Sequence, residues 1–505
     1  MNLPCPRPHS RLLRPWIALL CVPLLGAGSM ATADVVAPHE TRWPQPARQT
    51  SWPMAVQTAP NFNAPSATHC MRPARMVEVP GGQSAPRAVD EAAPPVGMPR
   101  RDRAGDALFE KGARLESRKE IASGSAAPTP APAPSAPAAS AFADERAHGA
   151  DSKPERQRQE EVVTAGMVDD NANFSDYLQF LRKYAQVPHR ERNVRERYLL
   201  EVRTPAGIAV PDAEIALRAD NGAAMWARTD SAGRAWIHPL AFDPQGSARY
   251  QVAARKNGRE ATAVLARGQK SAVELTLDAP PSPPRAQLDL VFLVDATGSM
   301  GDEIGKLRAS LRSIADEVAR LPSRPDLCFG LVAYRDRGDA FLLRRYDLSN
   351  DLAGFQSALD ALRADGGGDY PEAMNEAFHD TLHNIDWRGP GATRLVVLLA
   401  DAPPHLDYGG PQYDEDMMAA LGKGIKVFSV GASGLRRQGE YVQRQIAQYT
   451  GGSFVFLTYQ DARNPASGPG RETVHDVRNY SVQTLDKLIV KLVSDELAKL
   501  PAGNG

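Results

Sequence analysis

The chain of 505 residues is short of cysteine and of net charge, and it holds few long apolar runs. Four cysteines, two of them at Cys5 and Cys21 near the amino end, are too few for a disulfide framework. Cys328 lies inside an apolar strand pattern and is expected as a buried thiol, with a bridge to Cys70 as the alternative. A formal net charge of −1 removes the basic surplus that nucleic-acid binding requires. After the segment Trp16 to Leu25, no stretch approaches the length of a membrane span. Catalytic signatures are missing too. There is no His-Glu-x-x-His, and Thr297 stands where a nucleophile elbow around Ser299 needs glycine. Gly305-Lys306 is followed by Leu307, where a phosphate loop needs Ser or Thr to hold magnesium. These gaps predict a binding protein rather than an enzyme.

What is present begins with Arg11 and Arg14 ahead of the short apolar run, and Ala31-Thr32-Ala33 after it. Residues 1–33 therefore read as a secretory signal peptide, which predicts an exported chain, periplasmic or secreted to the cell surface. Residues 34–160 are rich in Pro and Ala, with a run from Pro128 to Pro137, and are expected to be disordered. Residues 161–196 predict a short helical connector carrying Tyr177, Leu178, Phe180 and Leu181. Asp169, Asn171 and Asn173 open like a calcium loop, but Phe174 and Phe180 occupy the places of its Gly and Glu. From 197 to 279 the period becomes two, with turn residues between short strands, which predicts an antiparallel β-sandwich. Pro280 to Pro284 then forms a stiff linker within 280–286.

Residues 287–500 alternate strand and helix patterns, the signature of an α/β doubly wound (Rossmann-like) domain with a mostly parallel sheet. The run Leu288 to Val294 is almost unbroken apolar and ends in Asp295-Ala-Thr297-Gly-Ser299. Such a run reads as a strand buried on both faces. Ile304, Leu307, Leu311, Ile314 and Val318 then give one helix face. A second acidic loop, Gly366-Gly367-Gly368-Asp369-Tyr370-Pro371-Glu372, is expected to open a helix over 371–384, with Glu372 in its first turn. A third, Leu395 to Ala400, is another buried strand ending in aspartate, Asp401. In a parallel sheet these chain ends share one edge, where open α/β sheets place ligands. Asp295, Thr297, Ser299, Asp369 and Asp401 are thus candidate ligands of one cation, and their hard oxygens suit Mg2+ or Mn2+. His405 and Asp336 read as loop residues near that edge, and Arg337-Gly338-Asp339 as a turn despite spelling an integrin-recognition triplet.

These three loops resemble those of von Willebrand factor A domains. That family's metal-ion-dependent adhesion site has Asp-x-Ser/Thr-x-Ser after the first strand, matched by Asp295, Thr297 and Ser299, and a later aspartate, matched by Asp401. Its usual middle threonine is absent here; Gly-Gly-Asp supplies Asp369 instead, as in a bacterial-type subset. The resemblance implies that a protein ligand docks through a cation, with an acidic side chain of the partner completing the coordination. Val210-Pro211-Asp212-Ala213-Glu214, followed by Thr229-Asp230-Ser231-Ala232-Gly233, is similar to carboxypeptidase regulatory-like, transthyretin-like sandwiches, which implies a spacer or binding scaffold. The whole chain thus reads as an exported, metal-dependent protein-binding or adhesion-type protein. The alternatives are metal-assisted hydrolysis at the same ion and an envelope scaffold with a vestigial site.

Overall fold

The computed structural model describes residues 69–82, 162–269, 271–279, 285–368 and 370–501. The expected signal peptide, most of the Pro/Ala-rich region, Asp369 and the proline run at 280–284 lie outside the described residues. In chain order the elements begin with β1 (Met76–Val79), β2 (Thr164–Val168), α1 (Phe174–Lys183) and β3 (Tyr198–Arg203). β4 (Glu214–Ala219), β5 (Ala224–Arg228), β6 (Arg234–Ile237) and the single turn α2 (Pro239–Phe242) follow. Next come β7 (Arg249–Lys256), β8 (Arg259–Ala266), β9 (Ala272–Thr276) and β10 (Gln287–Asp295). After β10 the chain forms α3 (Ile304–Ala319), β11 (Asp326–Tyr334), β12 (Leu343–Ser349), α4 (Leu352–Ala361), α5 (Met374–His383) and β13 (Ala392–Ala400). It ends with α6 (Tyr413–Lys423), β14 (Ile425–Gly431), α7 (Arg437–Tyr449), β15 (Phe454–Asp461), β16 (Asn464–Pro469), β17 (Gln483–Thr484) and α8 (Leu485–Ala498).

One large sheet dominates, in the order β1-β12-β11-β10-β13-β14-β15-β2-β17, with β16 on β15. Its centre, β11-β10-β13-β14-β15, is parallel throughout. The apolar run of β10 explains why this strand is central: Leu288 and Leu290 through Val294 are fully buried. Phe292 and Val294 pack into one core with Leu307, Leu311, Ile314 and Val318 of α3 and with Leu488, Ile489 and Val493 of α8. Each such side chain contributes about 1.5–3 kcal/mol on burial.

Two strands arise where composition and local pattern predicted none. Residues 69–82, inside the region expected to be disordered, place β1 antiparallel on β12, from Met76 opposite Tyr346 to Val79 opposite Leu343. Cys70 is joined to Cys328 of β11 across 258 residues, so Cys328 is buried but bridged rather than a free thiol. Arg72 adds a hydrogen bond to the Leu348 carbonyl at 2.8 Å and an ion pair with Asp386 at 3.0 Å. The second unexpected strand is β2, ahead of the expected connector helix; it pairs antiparallel with β15, Ala165 opposite Leu457. Both strands are held by partners more than two hundred residues away, and such pairing leaves no trace in a local window.

Residues 198–276 form two small sheets, β6-β3-β9 and β5-β4-β7-β8. β7 and β8 form a hairpin closed by Asn257-Gly258, both with positive φ, the backbone that a two-residue turn of this twist requires. Asp212 ties this region to the large sheet. It pairs with Arg228 of β5 at 2.5 Å and with Arg394 of β13 at 3.0 Å. Burial alone would raise its carboxyl, but the two guanidinium groups outweigh it and hold the group well below the ordinary carboxylate range.

The disulfide anchors the only covalent tie between the 69–82 segment and the sheet among the described residues. Cys70→Ser should therefore accelerate hydrogen exchange of the β1 amides by about two orders of magnitude, equivalent to 3 kcal/mol, while β10 and β13 keep their protection. Unchanged exchange in β1 would mean that strand pairing alone holds the segment.

Candidate functional site

Asp295 ends β10, and the parallel register that sets Val294 opposite Leu399 brings Asp401 to the same edge. Asp295 is fully buried. Its Oδ1 accepts from the Thr297 amide at 3.0 Å and the Thr297 hydroxyl at 2.7 Å, and its Oδ2 accepts from Tyr334 at 3.2 Å. The Thr297 and Ser299 hydroxyl oxygens are 3.0 Å apart. Thr297 is buried while Ser299 is exposed, so the loop runs from the interior to the surface. Asp401 is buried, and its Oδ1 has no hydrogen-bond partner.

The glycine loop closes over this pair. Gly298 donates its amide to the Gly366 carbonyl at 2.9 Å, and Gly367 donates to Asp339 Oδ2 at 2.8 Å. Gly366 and Gly367 have φ of +76° and +66°. A Cβ on Gly367 would stand 2.8 Å from Glu372 Oε1 and 3.1 Å from Thr297 Cβ, so a side chain there would fill the site.

Glu372 is the residue that sequence reasoning missed. It was expected in the first turn of a helix, where a carboxylate offsets the dipole. Instead α5 starts at Met374, and Glu372 sits ahead of it in a parallel bridge to Pro404. That bridge turns its side chain inward beside Thr297, where Oε2 is buried without a partner. The signal available was the glycine triplet itself, which lets the chain approach closely enough to deliver two acidic residues rather than one. Asp369 lies outside the described residues.

The electrostatics follow from this crowding. Burial, then Asp295, Asp336 and Asp401, push Glu372 up to about 9. Burial and the Asp401 charge push Asp295 up to about 7. Burial pushes Asp401 up to about 6, with Ser299 working against it and Glu303 adding to it. Among the described residues no Lys or Arg is ion-paired with Asp295, Glu372 or Asp401. Orphaned carboxylate oxygens beside two hydroxyls make a hard-oxygen donor set, and it fits a small divalent cation.

The neighbouring candidates are engaged elsewhere. His405 is 3.1 Å from Asp336. Arg337 pairs with Glu376 at 2.6 Å and lies 3.6 Å over the Tyr408 ring, and the Asp339 carboxylate accepts from the Asp336 and Gly367 amides. The Arg-Gly-Asp triplet is thus built into the loop packing.

These raised carboxyls give the metal-free protein a defined pH response. Each holds its proton more tightly folded than unfolded, so the unfolded chain releases protons first as pH rises, and stability falls from about pH 4.5 to about pH 9. In the presence of chelator, denaturation midpoints should be lower at about pH 8 than at about pH 5.5, and Glu372→Gln should flatten the upper part of that slope. A midpoint that climbs over this range would contradict the geometry.

A family model described as von Willebrand factor A domain matches residues 289–404. An alpha-protein kinase, vwkA, of Dictyostelium discoideum is 32% identical over 119 residues, 23% of this chain and 19% of that protein. An ariadne-like RING finger protein, R811, of Acanthamoeba polyphaga mimivirus is 31% identical over 121 residues, 24% of this chain and 12% of its own length. The chain therefore spans less than a fifth of either relative. Among solved structures, the open conformation of the pilus adhesin SpaC from Lactobacillus rhamnosus GG aligns at 15% identity and TM-score 0.25, covering 41% of this chain and 31% of the adhesin. Proximal thread matrix protein 1 of the mussel byssus aligns at 14% identity and TM-score 0.25, covering 35% and 48%. Residues 289–404, which carry Asp295, Thr297, Ser299, Glu372 and Asp401, are a von Willebrand factor A domain.

Proposed function

We propose that this chain is an exported binding protein whose von Willebrand factor A domain docks a protein ligand through a divalent cation, Mg2+ or Mn2+. The observation that carries the reading is the group of inward carboxylates, Asp295, Glu372 and Asp401, of which Asp401 Oδ1 and Glu372 Oε2 are buried without partners. Like charges so placed are costly unless a cation neutralises them. Asp295, Thr297, Ser299 and Asp401 would hold the ion, with Asp369 from the glycine loop in the same set. A bound divalent cation supplies positive charge and an exchangeable coordination position that an acidic side chain of the partner can take.

This chain's own residues prepare that encounter. Thr297 fixes the Asp295 carboxylate through its amide and hydroxyl, and Tyr334 fixes the other oxygen from below. The exposed Ser299 sets the rim. Where the cation ionises it, Glu372 would add negative charge, which lowers the net pull on an acidic ligand and favours a partner that brings further contacts of its own. The Cys70–Cys328 bridge supports export, because disulfides persist in oxidising compartments. The two small sheets at 198–276 serve in this reading as a sandwich-type spacer before the binding domain.

Calorimetric titration of the full chain with Mg2+ and Mn2+ tests the reading. Saturable binding of one ion is expected, lost in Asp295→Ala, together with metal-dependent capture of a protein ligand. No binding by the unsubstituted protein would make the site vestigial.

A further inference from the structure

We propose a second metal site, formed by His379 and His383 of α5 with Asp416 of α6, that takes a zinc-type transition-metal cation. The proposal does not rest on the reading of the acidic site. His379 and His383 are four residues apart on one helix, so both rings leave the same face, with centroids 4.3 Å apart. Asp416 faces them from the first half of α6. Its Oδ1 lies 3.0 Å from His379 Nδ1 and 3.3 Å from His383 Nε2, and its Oδ2 lies 3.2 Å from His379 Nδ1.

The carboxylate-to-imidazole distances match ligand spacings around one ion, and the three ligand atoms all lie within 4.8 Å of one another. A tetrahedral ion with bonds of about 2.0–2.1 Å places neighbouring ligand atoms roughly 3.3 Å apart. Two imidazoles and one carboxylate are the ligand types that suit zinc and leave a fourth position open to water. They do not suit magnesium, which prefers an all-oxygen octahedron. Access is good, because the His379 side chain is 45% exposed and that of His383 34%, while the Asp416 carboxylate is only 5% exposed. A buried carboxylate beneath two half-exposed imidazoles gives a fixed base with adjustable arms. Lys423 opposes the ion: its ammonium lies 3.4 Å from His383 Nδ1 and is anchored on the Leu382 carbonyl at 2.6 Å. That cation limits the affinity without occupying the ligand nitrogen, since His383 meets Asp416 through Nε2.

The test is a Zn2+ titration of the full-length, disulfide-intact chain against a chromophoric chelator in excess Mg2+, which saturates any hard-oxygen site. One equivalent of Zn2+ should bind despite the Mg2+, and His379→Ala and His383→Ala should each weaken it by at least about tenfold. Asp416→Asn should do the same, but Asp416 is buried and its variant can misfold. The half-exposed histidines, with folding checked by circular dichroism, therefore carry the decision. Absence of saturable Zn2+ binding, loss of that binding in Mg2+, or unchanged affinity in either histidine variant overturns the proposal.

Discussion

The parallel pairing of β10 with β13 is the constraint from which the rest follows. Each strand is apolar nearly throughout and buried on both faces, so its position is fixed by packing rather than by its polar end. A slip by one residue would set every side chain of β10 on the wrong face of the sheet. With Val294 opposite Leu399, the chain ends have no freedom to separate their carboxylates. Burial is the first cause of the raised carboxyls of Asp295 and Asp401, the Asp401 charge adds to it at Asp295, and the apolar core beneath holds both groups at the edge despite that cost. Glu372 joins the cluster by a different route, through a backbone bridge to Pro404 just beyond the end of β13.

What the sequence revealed follows the same division between local and distant causes. The strands from β10 to β15 and their intervening helices were legible, because each carries a period or a buried run within its own window. Asp295, Thr297, Ser299 and Asp401 were legible as neighbours, because parallel strands share an edge. Glu372 was not, since a Pro-Glu pair after glycines reads equally well as a helix start, and only the contact with Pro404 turns the carboxylate inward. β1 and β2 were hidden for a related reason. Met76–Val79 and Thr164–Val168 are short, and their partners Leu343–Tyr346 and Phe454–Thr458 are remote. The Asn257-Gly258 turn is a readable hairpin signal between β7 and β8.

The disulfide belongs with these non-local features. Cys328 is legible as buried from its strand pattern, but its partner sits in a segment whose composition gives no reason to order. The bridge shifts that balance, because it removes unfolded-chain entropy and so adds to the four edge-strand pairings. Composition describes what a segment can do alone, and here the ordering comes from elsewhere in the chain.

The two polar clusters differ in chemistry, and α5 carries one and begins beside the other. α5 starts two residues after Glu372, and its second residue, Asn375, is fully buried. The Asn375 amide donates to the His405 carbonyl at 2.7 Å, and its oxygen accepts from the Tyr413 amide at 2.9 Å. That side chain thus binds the loop after β13 to the start of α6. Further along, α5 presents His379 and His383 to Asp416 on the same α6. From Met374 the helix rises ~8 Å to His379 and ~14 Å to His383, which sets the imidazole-bearing face on the flank apart from the hard oxygens at the sheet edge. The backbone bridge of Glu372 to Pro404 and the hydrogen bonds of Asn375 both hold the head of α5 against the loop after β13. The α5–α6 pair is thus fastened at its head by Asn375, through the Tyr413 amide, and along its flank by the two histidines on Asp416.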